Sequence, residues 1–118
     1  MCLDMIIRIK RVYIAPEDSD GKRILVDKLW PRGLNKDEAH IDAWIKEVAP
    51  SDDLRKWFNH DPKKWPMFKE KYFFELLNNP EAVIKLIKAM DDESTLLFAA
   101  KEEEFNNAVA LKEYLEQH

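Results

Sequence analysis

The chain has few of the residues that build covalent cross-links, phosphate loops or metal sites: one cysteine, two glycines and three histidines in 118 residues. A lone thiol, Cys2, cannot form an intrachain disulfide or a cysteine-based metal cage, so a reducing cytoplasm is expected. Two glycines are too few for a glycine-rich phosphate loop, which excludes P-loop and dinucleotide sites. No two histidines have metal-ligand spacing. We expect no metal and no cofactor.

Long hydrophobic runs are also missing. No stretch approaches the roughly 20 apolar residues of a membrane span. The start, MCLDMIIRIK, lacks the basic, apolar and small-residue regions of a signal peptide. We therefore expect a cytoplasmic protein without membrane contact.

The chain has fewer basic than acidic residues: 19 Lys and Arg and 23 Asp and Glu give a formal net charge of -4. This balance argues against a duplex-DNA binder, which usually has an excess of basic residues. The charge is uneven: positions 1–36 hold eight basic and five acidic residues, and positions 91–118 hold two and eight. The basic part includes the segment LVDKLWPRGLNKDE, residues 25–38.

The length and the 46% hydrophobic content are typical of one folded domain. Apolar patterns predict strands near residues 5–14, 23–30 and 94–100. Helices are predicted from Asn35, from Ser51, over 65–76, from Asn79 and over 104–117. We predict a small single-domain α/β fold, 1–118, with a mainly parallel sheet of three to four strands, helices packed on it and a helical middle segment. About 11 residues separate the first two strands, which is short for a helical crossover, so that connection stays open.

Parallel strands bring their carboxyl ends to one edge of the sheet, where open α/β sheets bind ligands. Basic, aromatic and amide residues follow these strand ends: Lys10, Arg11, Tyr13, Lys28, Trp30, Arg32, Lys101, Asn106 and Asn107. Asp27 is the carboxylate of the group. A second basic and aromatic cluster, residues 54–65, adds Arg55 and Trp57. We expect a basic, Trp-lined crevice that attracts anions.

Each of these residues also has a structural interpretation. Asp27 is either an acid or base at a strand end or a buried carboxylate paired with Arg23, Lys28 or Arg32. Arg32, in the rigid turn WPRG, either clamps an anion or pairs locally. Trp30 is either a stacking platform or a lid on the core.

Two further residues have weaker chemical signals. Lys101 would need a depressed pKa to act as a nucleophile, so its expected contribution is charge. His60, followed by Asp61, is either a general base or the cation that favours a helix end.

The segments IKRVY, DGKRILVDKLWPRG, PSDDLRKWFNHDP and TLLFAAKEEEFNNAVAL resemble, in this order, domain-of-unknown-function family 488, in its short YeaO-like branch. The match runs from about Lys10 to Leu115. The resemblance implies a small cytoplasmic α/β domain and no established reaction. The residues that match the family pattern are Lys10, Arg11, Asp20, Gly21, Asp27, Leu29, Trp30, Pro31, Arg32, Gly33, Leu54, Arg55, Trp57, Phe58, Lys101 and Asn107.

The chain also departs from this pattern. Many relatives have sequences that resemble LLYSAKD followed by EHNNA. At the corresponding positions, this chain has Phe98, Ala99, Glu102 and Phe105. A mechanism that needs a tyrosine, a serine or a histidine at those positions is not supported. Thiol chemistry near that strand is not supported either, because Cys2 is the only cysteine.

These residues leave three hypotheses open. The first is a site for a small phosphorylated or carboxylated ligand, with Arg32 as the clamp and Asp27 as the acid or base of any reaction. The second is a non-enzymatic module whose Trp30 and Trp57 bind a protein or single-stranded nucleic acid. In the third, Asp27 and Arg32 form a buried pair that organises the fold. Exposed edges and aromatic side chains leave oligomerisation open.

Overall fold

The computed structural model describes residues 5–117, so Cys2 lies outside the described residues. Four strands form one sheet: β1 (Ile6–Arg11), β2 (Lys22–Leu25), β3 (Ala43–Trp44) and β4 (Glu93–Phe98). Their order is β1-β4-β2-β3, and each neighbouring pair is parallel. The predicted parallel α/β fold is confirmed.

The helices of residues 5–117 are α1 (Lys36–Ala39), α2 (Asp52–Phe58), α3 (Trp65–Leu77), α4 (Pro80–Ala89) and α5 (Asn107–Gln117). Two predicted caps are confirmed. The Asn35 side chain accepts a hydrogen bond from the Asp37 backbone, and the Ser51 hydroxyl accepts one from the Leu54 backbone. In this part of the chain, every helix is too short or too polar to span a lipid bilayer.

The connection between β1 and β2 contains only a short 3-10 turn, Asp18–Asp20. Both strands pair with β4, which lies between them, so the connection has to pass one strand. The Thr95 hydroxyl, on β4, donates a 2.7 Å hydrogen bond to the Asp20 carbonyl. This bond attaches the turn to β4, and the connection between β1 and β2 passes β4 without an α-helix.

The central strands β2 and β4 are buried on both faces, as their apolar runs predicted, whereas the edge strands β1 and β3 are partly exposed. The larger core lies between the sheet and α2 to α5, and it includes Ile24, Val26, Phe68, Tyr72, Leu86, Leu96, Phe98 and Leu111. The smaller core has Val12, Leu25, Ala39, Ile41 and Leu97, with Trp30, Leu34 and Trp44 packed against it. Alternate residues of β2 and β4 enter opposite cores because strand side chains alternate in direction.

Some boundaries differ from the predictions. β2 ends at Leu25 rather than near Trp30, because residues 27–34 turn across the end of the sheet and form no further strand pairing. β1 ends at Arg11 rather than at residue 14. β3, which has only two residues, was not predicted, since it is too short for an alternating pattern.

Candidate functional site

A crevice of about 450 Å³ opens where β2 and β4 end. The segment 27–32, the start of α5 and residues of α2 contribute to its wall. Among the predicted site residues, Asp27, Trp30, Arg32, Arg55 and Asn107 line it. The structure therefore brings most of the predicted group to one place, at the expected edge of the sheet.

Asp27 connects three elements at this edge. One carboxylate oxygen accepts a 2.8 Å hydrogen bond from the Ala99 backbone, just after β4. The other accepts a 3.1 Å bond from the Asn107 side chain, at the start of α5. The same Asn107 amide lies 3.3 Å from the Val26 carbonyl. Asp27 thus joins the ends of β2 and β4 to α5.

The pKa of Asp27 is raised above its ordinary value, because burial disfavours the charged carboxylate. The hydrogen bonds from Ala99 and Asn107, together with the charge of Arg55, act in the opposite direction and only partly offset burial. A buried carboxyl group with a raised pKa at the wall of a crevice is a feature that functional sites share with some structural ones.

Asp27 forms no ion pair with Arg23, Lys28 or Arg32, the three partners that the sequence suggested for it. Arg23 is buried and pairs with Asp20 at 2.6 Å. Lys28 pairs with Asp52 at 3.0 Å. The third hypothesis, a buried Asp27–Arg32 pair, is wrong because Arg32 is exposed.

The WPRG turn is held by contacts at both ends. The Tyr13 hydroxyl donates a 2.9 Å hydrogen bond to the Arg32 carbonyl. The Trp30 indole donates a 2.8 Å bond to the Leu34 carbonyl and packs edge-on against Trp44, with 5.4 Å between the ring centroids. Trp30 is therefore a half-buried lid on the smaller core that also lines the crevice.

The Arg32 guanidinium is not held by another side chain of residues 5–117. Its side chain is exposed, and the structure gives it no polar partner among residues 5–117. Arg55 is partly engaged, because it and Lys28 both pair with the exposed Asp52 carboxylate. Lys28, and then Arg55, lower the pKa of Asp52 through these hydrogen bonds. Asp52 itself does not line the crevice.

Lys10 and Arg11 have structural contacts instead of lining the crevice. Lys10 donates hydrogen bonds to Glu17 and Asp20, both at 2.8 Å. These bonds, above all the one to Asp20, raise the pKa of Lys10. Arg11 donates to the Ala100 and Ala99 carbonyls at 2.9 and 3.2 Å, and so holds the chain that leaves β4.

Trp57 and Lys101 also lie outside the crevice lining. The Trp57 ring faces the side chains of Lys64 and Lys71, whose ammonium groups lie 5.1 and 5.3 Å from its centroid. Lys101 is exposed, and the structure gives it no polar partner in residues 5–117. The structure therefore does not unite Trp30 and Trp57 on one surface.

Tyr13, Lys28 and Asn106, which the sequence placed at the same edge, line the crevice as well, and Phe105 is a lining residue that the sequence analysis missed. Asn106 had a usable signal, since asparagine is a preferred N-cap and α5 follows it. Its side-chain amide oxygen accepts a 3.0 Å hydrogen bond from the Val109 backbone. Phe105 had none, because its contact with the crevice depends on the path of the loop. His60 also lines the crevice.

In residues 5–117, no group of three or more His, Cys, Asp or Glu side chains is arranged to hold a metal ion. The polar groups that the crevice offers to a ligand are therefore guanidinium, ammonium, imidazole, carboxyl and amide groups.

A family model described as "Inactive DUF488-N3 subclade" (DUF488-N3i) matches residues 6–118. The uncharacterised protein YeaO of Escherichia coli (strain K12) is 42% identical over 112 residues, which cover 94% of this chain and 97% of that protein. The uncharacterised protein Rv3073c of Mycobacterium tuberculosis (strain H37Rv) is 43% identical over 70 residues, or 59% of each chain. No solved structure matches the chain.

Proposed function

The chain belongs to the DUF488-N3i family, described as an inactive subclade, and from this premise we propose that its crevice binds a small anionic ligand without converting it. The proposal keeps the phosphorylated or carboxylated ligand that the sequence suggested. The family description favours binding over catalysis.

The charge of the crevice is the observation that carries the proposal. Lys28, Arg32 and Arg55 line it, and Asp27 is the carboxylate among its described lining residues. Asp52, which pairs with Lys28 and Arg55, adds a second carboxylate, so three cations face two carboxylates. This small local excess of positive charge contrasts with the formal net charge of -4 of the whole chain. A concave site with clustered positive charge concentrates anions.

The Arg32 guanidinium is the proposed clamp. A guanidinium is planar and forms two parallel hydrogen bonds to a phosphate or carboxylate. The bond from Tyr13 fixes the Arg32 backbone, which reduces the entropy lost when the side chain binds. Arg55 can support the same anion, because it is attached to an exposed Asp52 rather than to a buried carboxylate.

Asp27 and Asn107 contribute further polar groups to the lining of the crevice. The Asp27 oxygens accept hydrogen bonds from protein groups and retain further lone pairs, so a ligand hydroxyl or N–H group can donate to them. We therefore propose a ligand in which such a donor accompanies the anionic group, as in a sugar phosphate or a hydroxy acid.

If the crevice also supports a reaction, Asp27 is the proposed general acid or base, since burial raises its pKa. A macromolecular ligand is the alternative occupant. In that case, Trp30 beside the cationic rim would stack on a base of single-stranded nucleic acid.

Thermal unfolding tests the proposal. The wild type and Arg32→Ala are heated with phosphate, sulfate, sugar phosphates, nucleotides, hydroxy acids or a single-stranded oligonucleotide. A ligand at about 100 times its dissociation constant stabilises by roughly 2.7 kcal/mol, which raises the midpoint of a domain this size by several degrees. Lys88→Ala, which removes an exposed cation from α4, is the matched control.

We expect one class of small anion to raise the midpoint of the wild type and of Lys88→Ala but not of Arg32→Ala. An equal response of all three proteins would mean non-specific charge binding and would contradict the proposal. A response to the oligonucleotide alone would favour the macromolecular alternative. Ligand conversion that stops in Asp27→Asn would show that the crevice is catalytic.

A further inference from the structure

Helix α3 is apolar on two sides. Its inner side contributes Phe68 and Tyr72 to the larger core, where each is at most 2% exposed. Its outer side presents Met67, Phe74 and Leu77, which are 53%, 68% and 59% exposed. Large apolar side chains that lie together on a surface mark binding sites more often than scattered ones do.

These three exposed side chains line one wall of a groove between α2 and α3, which we call the α2–α3 groove. Leu54 and Trp57, on α2, line the other wall, and the groove has a volume of about 1080 Å³. Met67 and Phe74 are two helical turns apart and Leu77 follows one turn later, so the apolar line along α3 is about 15 Å long. A partner helix of about three turns would cover this length.

The charged groups that line the groove are mainly carboxylates. Asp53 contributes one from α2, and Glu70 and Glu75 contribute two from α3. Asp53 and Glu70 are exposed, and neither forms an ion pair within residues 5–117. Glu75 accepts hydrogen bonds from the backbone and the hydroxyl of Ser51, a neutral residue. Both walls therefore carry negative charge that no cation of the described residues pairs.

Two lysines near Trp57 offset part of this negative charge. The ammonium groups of Lys64 and Lys71 lie 5.1 and 5.3 Å from the centroid of the Trp57 ring. Lys71 lines the groove, whereas Lys64 lies outside its lining and donates a hydrogen bond to the Trp57 carbonyl. With both lysines counted, the carboxylates are still in excess. The groove thus combines an apolar line with net negative charge.

From this combination we propose that the α2–α3 groove binds a basic amphipathic helix of a partner protein. The apolar residues of that helix, which recur every three to four positions, would lie against Met67, Phe74 and Leu77. Lys or Arg residues on both flanks of its apolar side would meet Asp53 on one wall and Glu70 on the other. Binding of an amphipathic helix in an apolar groove is a recurring mode of recognition, and complementary charge selects the partner.

The same charges disfavour other occupants of the groove. An anionic lipid surface attracts Lys and Arg, whereas this lining has an excess of carboxylates. A second copy of the chain would bring one acidic groove toward another, and like charges repel. The groove shares no lining residue with the anion crevice, so the proposal does not depend on the function proposed for that crevice.

Fluorescence anisotropy with two labelled synthetic peptides tests the proposal. The first, of about 14 residues, has leucines at helical spacing and lysines at its other positions, so that it forms an amphipathic helix when bound. The second has glutamates in place of the lysines. We expect the protein to bind the lysine peptide, and to bind the glutamate peptide at least about tenfold more weakly.

Phe74→Ser tests the contribution of the apolar line. It should raise the dissociation constant of the lysine peptide by about tenfold or more, as the loss of a central interface residue does. Ile84→Ser is the matched control and should leave this constant unchanged, since Ile84 is 50% exposed on α4 and does not line the groove. Circular dichroism checks that each variant is folded.

Glu70→Lys tests the contribution of the charge. It should weaken binding of the lysine peptide and strengthen binding of the glutamate peptide. Glu38→Lys makes the same change of charge at an exposed position of α1 that does not line the groove, and it should alter neither affinity.

A protein that does not bind the lysine peptide, or that binds both peptides equally, would overturn the proposal. So would binding of the lysine peptide that Phe74→Ser leaves unchanged. Self-association, or binding to vesicles of anionic lipid, that Phe74→Ser abolishes would assign the groove to one of the other occupants and would also overturn the proposal.

Discussion

The side-chain amide of Asn107, at the start of α5, donates a 3.1 Å hydrogen bond to the carboxylate of Asp27, two residues after β2. The residues are 80 positions apart in the chain. With the bond from the Ala99 backbone, this contact closes the end of the sheet that carries the crevice. Asp27 therefore has a structural role whether or not a ligand binds.

Asp27→Ala should destabilise the protein by about 1 to 3 kcal/mol, because it leaves the Ala99 N–H and the Asn107 amide without their acceptor. Asp27→Asn should cost less, since its amide oxygen can still accept one of the two bonds. Urea denaturation of the three proteins measures the difference. Equal costs for both variants would show that these hydrogen bonds do not determine the role of Asp27.

The pH dependence of stability should separate Asp27 from ordinary surface carboxylates. Burial raises its pKa in the folded protein, so the folded state binds the proton more tightly than the unfolded chain does. Stability from this group is present below about pH 3.9, the unfolded pKa, and is lost as the pH rises through the folded pKa. The stability of Asp27→Asn relative to wild type should therefore improve across that window. A difference that is constant with pH would contradict the raised pKa.

The sequence predicted the strands β2 and β4 and the edge that holds the crevice, because continuous apolar runs and the residues after them are local signals. Lys10, which the sequence also placed at that edge, does not line the crevice. Strand alternation turns Lys10 toward the face that residues 12–21 cover, where it meets Asp20. This contact depends on the path of the connection between β1 and β2, which no periodic sequence pattern predicts. Similarly, Trp57 faces α3 rather than the crevice, because of the way in which α2 and α3 pack.

Asp20 should show the opposite pH dependence. Burial opposes its ionisation, but hydrogen bonds from Lys10, the Glu17 backbone and Arg23 outweigh burial and lower its pKa. Stability from Asp20 is therefore present above the unfolded pKa of about 3.9 and is lost as the pH falls toward the folded pKa. Asp20→Asn should cost about 3 to 5 kcal/mol at neutral pH, since it leaves the buried Arg23 guanidinium without its carboxylate partner. Denaturation from pH 7 to pH 3 should show this cost shrinking. A cost that grows toward low pH would contradict the arrangement.

Tyr13→Phe should reduce ligand affinity more than it reduces stability. The variant removes only the hydroxyl that donates to the Arg32 carbonyl, and Tyr13 is 43% exposed. Such a bond contributes about 0.5 to 1.5 kcal/mol at most. Without it the WPRG turn loses its anchor to the end of β1, so Arg32 is less well positioned. Titration calorimetry with the anion found by thermal unfolding, beside urea denaturation, measures both effects. Unchanged affinity would show that the anchor does not position Arg32.

The two glycines should respond very differently to alanine. Both have positive φ, 63° at Gly21 and 77° at Gly33. A Cβ atom at Gly21 would lie 2.1 Å from the Glu93 carbonyl oxygen, whereas one at Gly33 would meet no atom within 4 Å. Gly33→Ala should therefore cost only the backbone strain, about 1 to 2 kcal/mol. Gly21→Ala adds a clash with backbone that cannot move away and should cost about 3 kcal/mol or more. Urea denaturation of both variants gives the comparison. Similar costs would mean that Gly21 does not pack closely against the start of β4, and the short crossover between β1 and β2 would then need another explanation.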